Sequence, residues 1–208
     1  IYCEVASVPT GWNSNWNPSN RPVIWDYKNN EADSNGCIYT IVDGIKYSLK
    51  DGAATIVRQP KTLSGKIVIP QSVTYKNVDY NVTTIGKSAF YDCSALTSVS
   101  IPGSITTIEN YAFYNCTALT EIFFNAENCN DLSSASSGNY AFANAGKESS
   151  GIKVVFGKDV TKIPAYLFRP YSYSSDYVPN ITSMEFEENS ICTEIGAYAF
   201  YNGSYLTS

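Results

Sequence analysis

Apolar residues in the middle of the chain follow one pattern that occurs twice with little change. Six positions between Ile85 and Ile101 return 23 positions later, between Ile108 and Phe124. A period of this length is typical of a solenoid, in which each unit buries its apolar face against its neighbours. We therefore expect function to lie on the surface of a stack. The repeated positions are Ile85, Phe90, Cys93, Leu96, Val99 and Ile101, then Ile108, Phe113, Cys116, Leu119, Ile122 and Phe124.

The pattern continues in both directions with altered spacing. The landmark phenylalanine of the repeat, at Phe90 and Phe113, recurs at Phe142, Phe168 and Phe200, at spacings of 29, 26 and 32 residues. The extra residues are interpreted as loop insertions, which in repeat proteins often lie on a binding face. Upstream, residues 65–73 match residues 97–105, so the array is predicted to cover about residues 63–208.

Each unit contains one clear strand signal. In "LTSVSIP", Val99 and Ile101 alternate with polar residues and are expected to point inward, and Pro102 ends the strand because it cannot donate to the ladder. The following "ENYAFYNC" is expected to turn back and drive Phe113 into the core. Cys116 then occupies a position where only a small residue fits.

The combined motif "IPxSIxxIxxxAFxxCxxLxxI" resembles the BspA-like leucine-rich repeat, the Treponema pallidum type found in many bacterial cell-surface proteins. The resemblance is close in the two 23-residue copies and weaker in the three later ones. It implies a β-rich α/β solenoid, a right-handed array of 23-residue units with an N-terminal β-hairpin cap. It also implies an extracellular or bacterial cell-surface module that adheres to or binds proteins.

The segment before the array predicts hairpins. Residues 37–58 alternate apolar and polar side chains around Asp43-Gly44 and Asp51-Gly52, which are strong hairpin turn signals. A second hairpin is predicted to turn near Lys76-Asn77. Residues 37–82 are therefore interpreted as a meander and hairpin that resemble the cap of a BspA-like array, overlapping the first repeat strand, with the repeats proper in residues 83–208.

Residues 1–36 are rich in turn formers and contain all three tryptophans, Trp12, Trp16 and Trp25. The segment resembles the end of a preceding repeat block. The tryptophans could stack on sugar rings, but a plug against apolar repeats is favoured. A Cys3–Cys37 disulfide is an open alternative to free thiols. Because residues 205–208 align with the start of a repeat strand at Ala95, we expect further protein or a partner to follow.

Charge and hydropathy narrow the classes of partner. The 208-residue chain has a formal net charge of −5 and a pI near 4.7, with no cluster of lysine and arginine. These features argue against binding to nucleic acid or to an anionic membrane surface. No apolar run approaches the roughly 20 residues that a membrane span needs.

The residue types also argue against catalysis. The chain has no histidine, which removes Ser-His-Asp and Cys-His nucleophile systems and the commonest metal ligand. The acidic stretch with Glu185, Glu187 and Glu188 is interpreted as solvated surface rather than a glycosidase pair. The six cysteines form no C-x-x-C pair. We expect no enzyme activity, no cofactor and no metal site.

The outward strand positions supply the candidate binding residues. Phe123, Ile152 and Val155 are expected to form an exposed apolar patch on adjacent rungs, with Glu121 and Lys153 beside it, or to lie under a loop of the same chain. Tyr171, Tyr173 and Tyr177 lie in the insertion between Arg169 and Asn180, whose composition is typical of protein-contact surfaces. The three predicted columns are Gly65, Thr97, Thr120, Ile152 and Thr182; Lys66, Ser98, Glu121, Lys153 and Ser183; and Val68, Ser100, Phe123, Val155 and Glu185.

Two functions follow from these residues and the resemblance. The first is a non-enzymatic surface or secreted module that binds a host or bacterial surface protein. The second is a carbohydrate-binding or cell-wall-anchoring accessory of a larger enzyme. A row of aromatic rings open to solvent would favour the second, and a broad hydroxylated sheet face would favour the first.

Overall fold

A computed structural model of the chain describes residues 32–132, 140–170, 177–201, 203, 205 and 206. Trp12, Trp16, Trp25 and Cys3 lie outside the described residues. The strands in this part are β1 (Ile38–Val42), β2 (Ile45–Lys50), β3 (Ala53–Ile56), β4 (Ser64–Val68), β5 (Ser72–Tyr75), β6 (Val78–Ile85), β7 (Ala95–Ile101), β8 (Thr107–Ile108), β9 (Glu121–Phe124), β10 (Ile152–Phe156), β11 (Lys162–Ile163), β12 (Ile181–Phe186) and β13 (Glu194–Ile195).

The repeat units stack through a five-stranded parallel sheet. Its strand order is β12-β10-β9-β7-β4, so each unit adds one strand beside that of the unit before it. Val99 pairs with Ile122, and Ile122 with Val154, and all three are fully buried. The 23-residue register is confirmed, because the residues it aligns are the residues that pair.

The other side of the stack carries shorter strands. β3, β6 and β8 pair in parallel, and β11 pairs in parallel with β13. β3, β6, β8 and β11 each place one isoleucine inward, and Ile56, Ile85, Ile108 and Ile163 are all buried. The chain is therefore a β-rich solenoid whose core lies between two sets of parallel strands.

A column of phenylalanine rings fills the core between these strands. Phe90, Phe113 and Phe142 are fully buried, and their rings stack at centroid distances of 4.9 and 4.7 Å. Phe168 and Phe200 continue the column at 5.1 and 5.4 Å. The recurring phenylalanine of the sequence thus forms one column of neighbouring rings.

The turns that follow the phenylalanines replace the helices that the α/β description implies. Asp92, Asn115 and Asn144 have φ of 60°, 60° and 63°, and a left-handed residue interrupts helical geometry. The described residues contain no α-helix, so the α/β part of the expectation is not confirmed. Asn and Asp tolerate this conformation better than other non-glycine residues, which explains their recurrence here.

Cys93 and Cys116 occupy the small-residue position of these turns. Both are fully buried free thiols, and Ala145 takes the same position in the next unit. The Cys116 thiol lies 3.2 Å from the carbonyl oxygen of Phe90, in the preceding turn. The interpretation of these cysteines as buried small residues is confirmed.

Antiparallel strands lie at the N-terminal end of the described chain. β1 pairs with β2 and β2 with β3, through turns at Asp43-Gly44 and Asp51-Gly52 in which all four residues have positive φ. β5 pairs with β6 around Lys76-Asn77, where φ is again positive. Consecutive left-handed residues are typical of type I′ hairpin turns.

Candidate functional site

The outward face of the parallel sheet presents side chains in straight columns. Lys66, Ser98, Glu121 and Lys153 pair across four strands, and Lys153 pairs with Ser183 on the fifth. The second column contains Val68, Ser100, Phe123, Val155 and Glu185 in the same register. The pairing register of two of the three predicted columns is therefore confirmed, although Ser98 is only 5% exposed.

The third predicted column is wrong at Gly65 and at Ile152, since Gly65 pairs with Leu96 and not with Thr97. The register shifts between Ile152 and Lys153, so Ile152 pairs with Ile181, and its side chain is fully buried. It fills the space above Gly146, where an added Cβ would lie 2.7 Å from its Cδ1. Ile152 belongs to the core because this irregularity turns its side chain inward. It is not part of an exposed patch.

The remaining apolar part of the face contains Phe123, Val155 and Val68. Phe123 and Val155 are directly paired and half-buried. Val68 is 73% exposed and is separated from Phe123 by Ser100 in the same column. The structure brings two of the three predicted apolar candidates together and adds Val68, whose place in the column the sequence already indicated.

One ion pair joins charged residues of the face. The Lys153 ammonium lies 2.8 Å from a Glu185 carboxylate oxygen on the neighbouring strand. The Ser98 hydroxyl is 3.4 Å from Glu121, at the limit of hydrogen bonding. Because exposed ion pairs contribute little to stability, these groups mainly keep the face polar and adaptable.

A groove crosses the carboxyl ends of the same strands. Gly103 and Gly157 form part of its floor, and a Cβ at either position would overlap the side chains of Glu127 and Asn125. The glycines thus let these polar side chains lie flat. Other lining residues are Val68, Ile69, Gln71, Ser100, Pro102, Lys158, Asp159 and Glu187.

A row of tyrosines on the turn side of the stack was missed by the sequence reasoning. Tyr91 stacks on Tyr114 at 5.0 Å, and Tyr166 on Tyr198 at 5.3 Å. Tyr111 contacts Tyr114 at 5.5 Å and Tyr140 at 6.2 Å. The sequence signal is a tyrosine two residues before the landmark phenylalanine, at positions 111, 140, 166 and 198.

The tyrosine rings are packed against each other and against arginine. The Arg58 guanidinium lies 4.8 Å from the Tyr91 ring, and Arg169 lies within 5.5 Å of both Tyr140 and Tyr166. Burial raises the pKa of Tyr114, and the nearby Tyr91 and Tyr177 raise it further. The row is therefore a packed aromatic ridge with part of its rings covered.

The predicted binding loop starts and ends near this ridge. Arg169 packs on the ridge, and the carbonyl of Tyr177 accepts a hydrogen bond of 3.1 Å from the Asn144 backbone. Tyr171 and Tyr173 lie outside the described residues. Of the three predicted loop tyrosines, Tyr177 lies within the described residues, and its backbone contacts the turn at Asn144.

A polar ladder connects the turns beneath the ridge. The Asn144 amide donates to Asn115 at 2.6 Å, the Asn115 amide donates to Asp92 at 2.8 Å, and Lys61 pairs with Asp92 at 2.6 Å. Burial acts to raise the pKa of Asp92, but the hydrogen bonds from Lys61 and Asn115 outweigh it and the pKa is lowered. The ladder fixes the left-handed turns from one unit to the next.

The acidic stretch considered for a glycosidase pair lies at the surface of β12 and the turn after it. Glu185, Glu187 and Glu188 are exposed, which confirms the solvated-surface interpretation. Within the ranges given above, no group of three or more Cys, Asp or Glu is placed to hold a metal ion. In the same ranges, no helix has the length and apolar character to cross a membrane.

Several solved structures are similar to this chain. A leucine-rich repeat protein from Bacteroides capillosus ATCC 29799 is 26% identical over 72% of this chain and 98% of that one, with a TM-score of 0.49. A leucine rich cell surface protein from Faecalibacterium prausnitzii A2-165 is 20% identical over 82% of this chain and 54% of that one, with a TM-score of 0.43. The pneumococcal vaccine antigen PcpA is 16% identical over 82% and 42%, with a TM-score of 0.43.

A search of the curated proteins found no match. The family model described as "BspA type Leucine rich repeat region (6 copies)" matches residues 70–175, just over half of the chain. These residues include the two 23-residue copies and the start of the Tyr171 loop. The matched segment contains four of the five column phenylalanines, strands β5 to β11 and the left-handed turns at Asp92, Asn115 and Asn144. The chain therefore belongs to the BspA-type leucine-rich repeat family.

Proposed function

We propose that this chain is a non-enzymatic interaction module of a secreted or cell-surface protein and that it adheres to a protein partner through the outward face of the parallel sheet. One observation carries the proposal. Two columns of outward side chains remain in register across β4, β7, β9, β10 and β12. The family's resemblance to bacterial surface proteins supports the location.

The dimensions of the face favour a macromolecular partner. Neighbouring strands lie about 4.8 Å apart, so five strands present an array roughly 19 Å wide. Its side chains are mostly hydroxyls, lysines and glutamates, which can hydrogen-bond a protein surface. A broad hydroxylated face of this kind was the feature expected of a protein binder.

Phe123 is the proposed energetic centre of the contact. It lies in the middle strand, with Ser100 on one side and Val155 on the other. Binding energy usually concentrates in a few apolar or aromatic residues surrounded by polar neighbours that exclude water. Glu121 and Lys153 flank it and are proposed to orient the partner, with the loop at Tyr171, Tyr173 and Tyr177 as a second contact.

Carbohydrate binding is the second candidate, and the tyrosine ridge is the observation that favours it. Sugar rings stack on open aromatic faces. However, Tyr91 contacts Arg58 from the preceding turn and Tyr114 from the following one, so both sides of its ring are in use. Tyr198, at 56% exposure, is the most open ring of the ridge.

The N-terminal hairpins are proposed to cap the stack. Tyr47 and Leu49 on β2 are buried within the same core cluster as the repeat residues. Because β1 and β2 run antiparallel, they end the parallel series instead of continuing it. This supports assigning residues 37–82 to a cap and residues 83–208 to the repeats.

The proposal is tested by binding to arrayed host extracellular proteins and bacterial surface proteins, with a glycan array in parallel. Phe123→Ser should reduce binding to the captured protein by more than tenfold. Val78→Ser is the control. It also removes an apolar side chain, which is 50% exposed on β6, and this variant should bind like wild type. A deletion variant lacking residues 171–178 tests the loop.

Matched thermal melts of all variants exclude unfolding as the cause of lost binding. Binding to protein that is insensitive to Phe123→Ser would place the site elsewhere. Capture by glycans alone, with loss on Tyr198→Ala, would support the carbohydrate alternative and refute the protein-binding proposal.

A further inference from the structure

The groove at the carboxyl ends of the parallel strands has an apolar end. It extends from β4 to Glu187, the residue after β12, and has a volume of about 310 Å³. At the β4 end, Val68 is 73% exposed, and Ile69 and Pro102 line the groove beside it. Apolar surface that is open to water gains free energy when a ligand covers it. This end therefore favours an aliphatic or aromatic side chain.

The other end of the groove is acidic. Glu127, Asp159 and Glu187 line it on three successive rungs, together with Lys158. The Lys158 ammonium pairs with Asp159 at 2.8 Å, and the Lys158 backbone amide donates to Glu187 at 3.1 Å. Among the described residues, Glu127 takes part in no hydrogen bond or ion pair. Three carboxylates and one ammonium leave this end negatively charged, so it attracts a cationic side chain.

Two glycines keep the floor between these ends open. A Cβ on Gly103 would lie 2.7 Å from the Oε1 atom of Glu127, and a Cβ on Gly157 would overlap the side-chain amide of Asn125. The missing side chains therefore let the Glu127 carboxylate and the Asn125 amide lie along the floor. A segment that crosses the groove can approach both polar groups closely.

The distance between the two ends sets the spacing of the groups that fit them. Val68 lies on β4, Glu127 follows β9, and Asp159 follows β10. Because β9 and β10 are the second and third strands from β4, the carboxylates lie roughly 10 and 14 Å along the groove, at about 4.8 Å per strand. In an extended chain, residues four positions apart point to the same side and lie roughly 13 Å apart. An apolar and a basic residue at this spacing match the groove.

We propose that this groove binds an extended segment of another protein that carries an aliphatic or aromatic residue and, four positions along, an arginine or lysine. The apolar side chain covers Val68, the backbone passes over Gly103 and Gly157, and the cation lies between Glu127 and Asp159. This site goes beyond the proposed contact at the outward sheet face and does not depend on it.

Other occupants match only part of the groove. A free cation would neutralise the acidic end but would leave Val68 open to water. A second copy of this chain carries the same net charge of −5 and is repelled. A foreign segment with one apolar and one basic side chain satisfies both ends at once.

The peptide acetyl-GLTATRG-amide is a suitable probe, because its leucine and arginine stand four positions apart and its alanine faces the floor between them. Titration of this peptide into the isotope-labelled full chain, followed by heteronuclear NMR, should shift the amide signals of Gly103 and Gly157 until they saturate. Two control peptides should bind roughly fivefold more weakly, one with glutamate in place of arginine and one, GLTRTAG, with the arginine only two positions from the leucine. Equal midpoints for the three peptides, or no shift at either glycine, would overturn the proposal.

Charge reversal in the protein tests the acidic end. Glu127→Lys should weaken binding of the arginine peptide roughly fivefold to tenfold, and the glutamate peptide should then bind better than the arginine peptide. Val68→Ser should weaken the arginine peptide about threefold to tenfold, because the leucine loses its apolar contact. Glu185→Lys on the sheet face and Val78→Ser on β6 are the matched controls and should bind like wild type. Failure of the charge exchange at Glu127 would refute the assignment of the cation.

Further measurements separate this site from the alternatives. Phe123→Ser should leave peptide binding unchanged, and its loss in that variant would place the peptide on the sheet face and refute the groove as the site. Arginine amide with the same midpoint as the peptide would show a cation site and not a segment site. A dimer in light scattering that Glu127→Lys dissociates would identify a second copy as the occupant and would also refute the proposal. Since Glu127 and Val68 are exposed, matched thermal melts of their variants should coincide with wild type.

Discussion

Replacing Phe113 by alanine should destabilise the protein more than the same change at Phe200. Phe113 is fully buried, with ring neighbours at 4.9 Å on one side and 4.7 Å on the other, both within 9° of parallel. Large-to-small changes of buried phenylalanine cost about 3 to 5 kcal/mol through lost transfer energy and cavity formation. With two stacked partners lost at once, we expect Phe113→Ala near the upper end of that range, because each stacked pair contributes about 0.5 to 1.5 kcal/mol.

Phe200 is the internal control, since it is half-buried and stacks on Phe168 at 5.4 Å at the end of the column. We expect Phe200→Ala to cost about half as much, because less area is lost and the site can collapse. Urea unfolding followed by circular dichroism and tyrosine fluorescence, extrapolated linearly to water, gives both values. Equal costs at the two positions, or a cost below about 2 kcal/mol at Phe113, would refute the argument that neighbours on both sides determine stability in this stack.

Four further outcomes are expected. Burial raises the pKa of Cys93 to about 11, whereas the unfolded thiol ionises near 9. The folded state therefore binds the proton more tightly, and stability should fall as pH rises from 9 through 11. Cys93→Ala should make this decline shallower in urea titrations, and an unchanged slope would contradict the prediction. Cys116, whose pKa burial raises well above 9, should resist thiol reagents until the chain unfolds, and its labelling in native protein, read by mass spectrometry, would show that it is not buried. Asn115→Gly should be less destabilising than Asn115→Ala by about 1 kcal/mol, because only glycine keeps φ of 60° without strain, and equal midpoints in urea would contradict this. Gly151→Ala should destabilise the chain because its Cβ would overlap Thr182 at φ of 124°, and an unchanged thermal melt would exclude that clash.

Most of the fold could be predicted because repetition reveals register directly. Two copies 23 residues apart identify which side chains are equivalent, and equivalent side chains must pair in a stack. Phe90 and Phe113, and Val99 and Ile122, behave accordingly. The α/β description is not confirmed in the described residues, because left-handed Asn and Asp residues produce tight turns there. A single Asn signals a turn less clearly than glycine does.

The candidate site could be predicted only in part because outward and inward positions depend on strand regularity. Alternation directs Phe123 and Val155 away from the core, where they are half-buried, but one register shift before Lys153 turns Ile152 into the core. Such a bulge depends on local packing against Gly146, which periodicity alone does not reveal. The tyrosine ridge was missed because Tyr111 and Tyr166 are far apart in sequence and become neighbours of the same surface only through stacking.

The column of phenylalanines also explains how this kind of protein can diversify. Intervals between landmarks vary from 23 to 32 residues, yet the ring centroids stay between 4.7 and 5.4 Å apart. Added residues are therefore accommodated outside the column without displacing it. Loops can be lengthened, exchanged or grafted at these intervals at little cost to folding, so new recognition can arise by insertion while the scaffold remains the same.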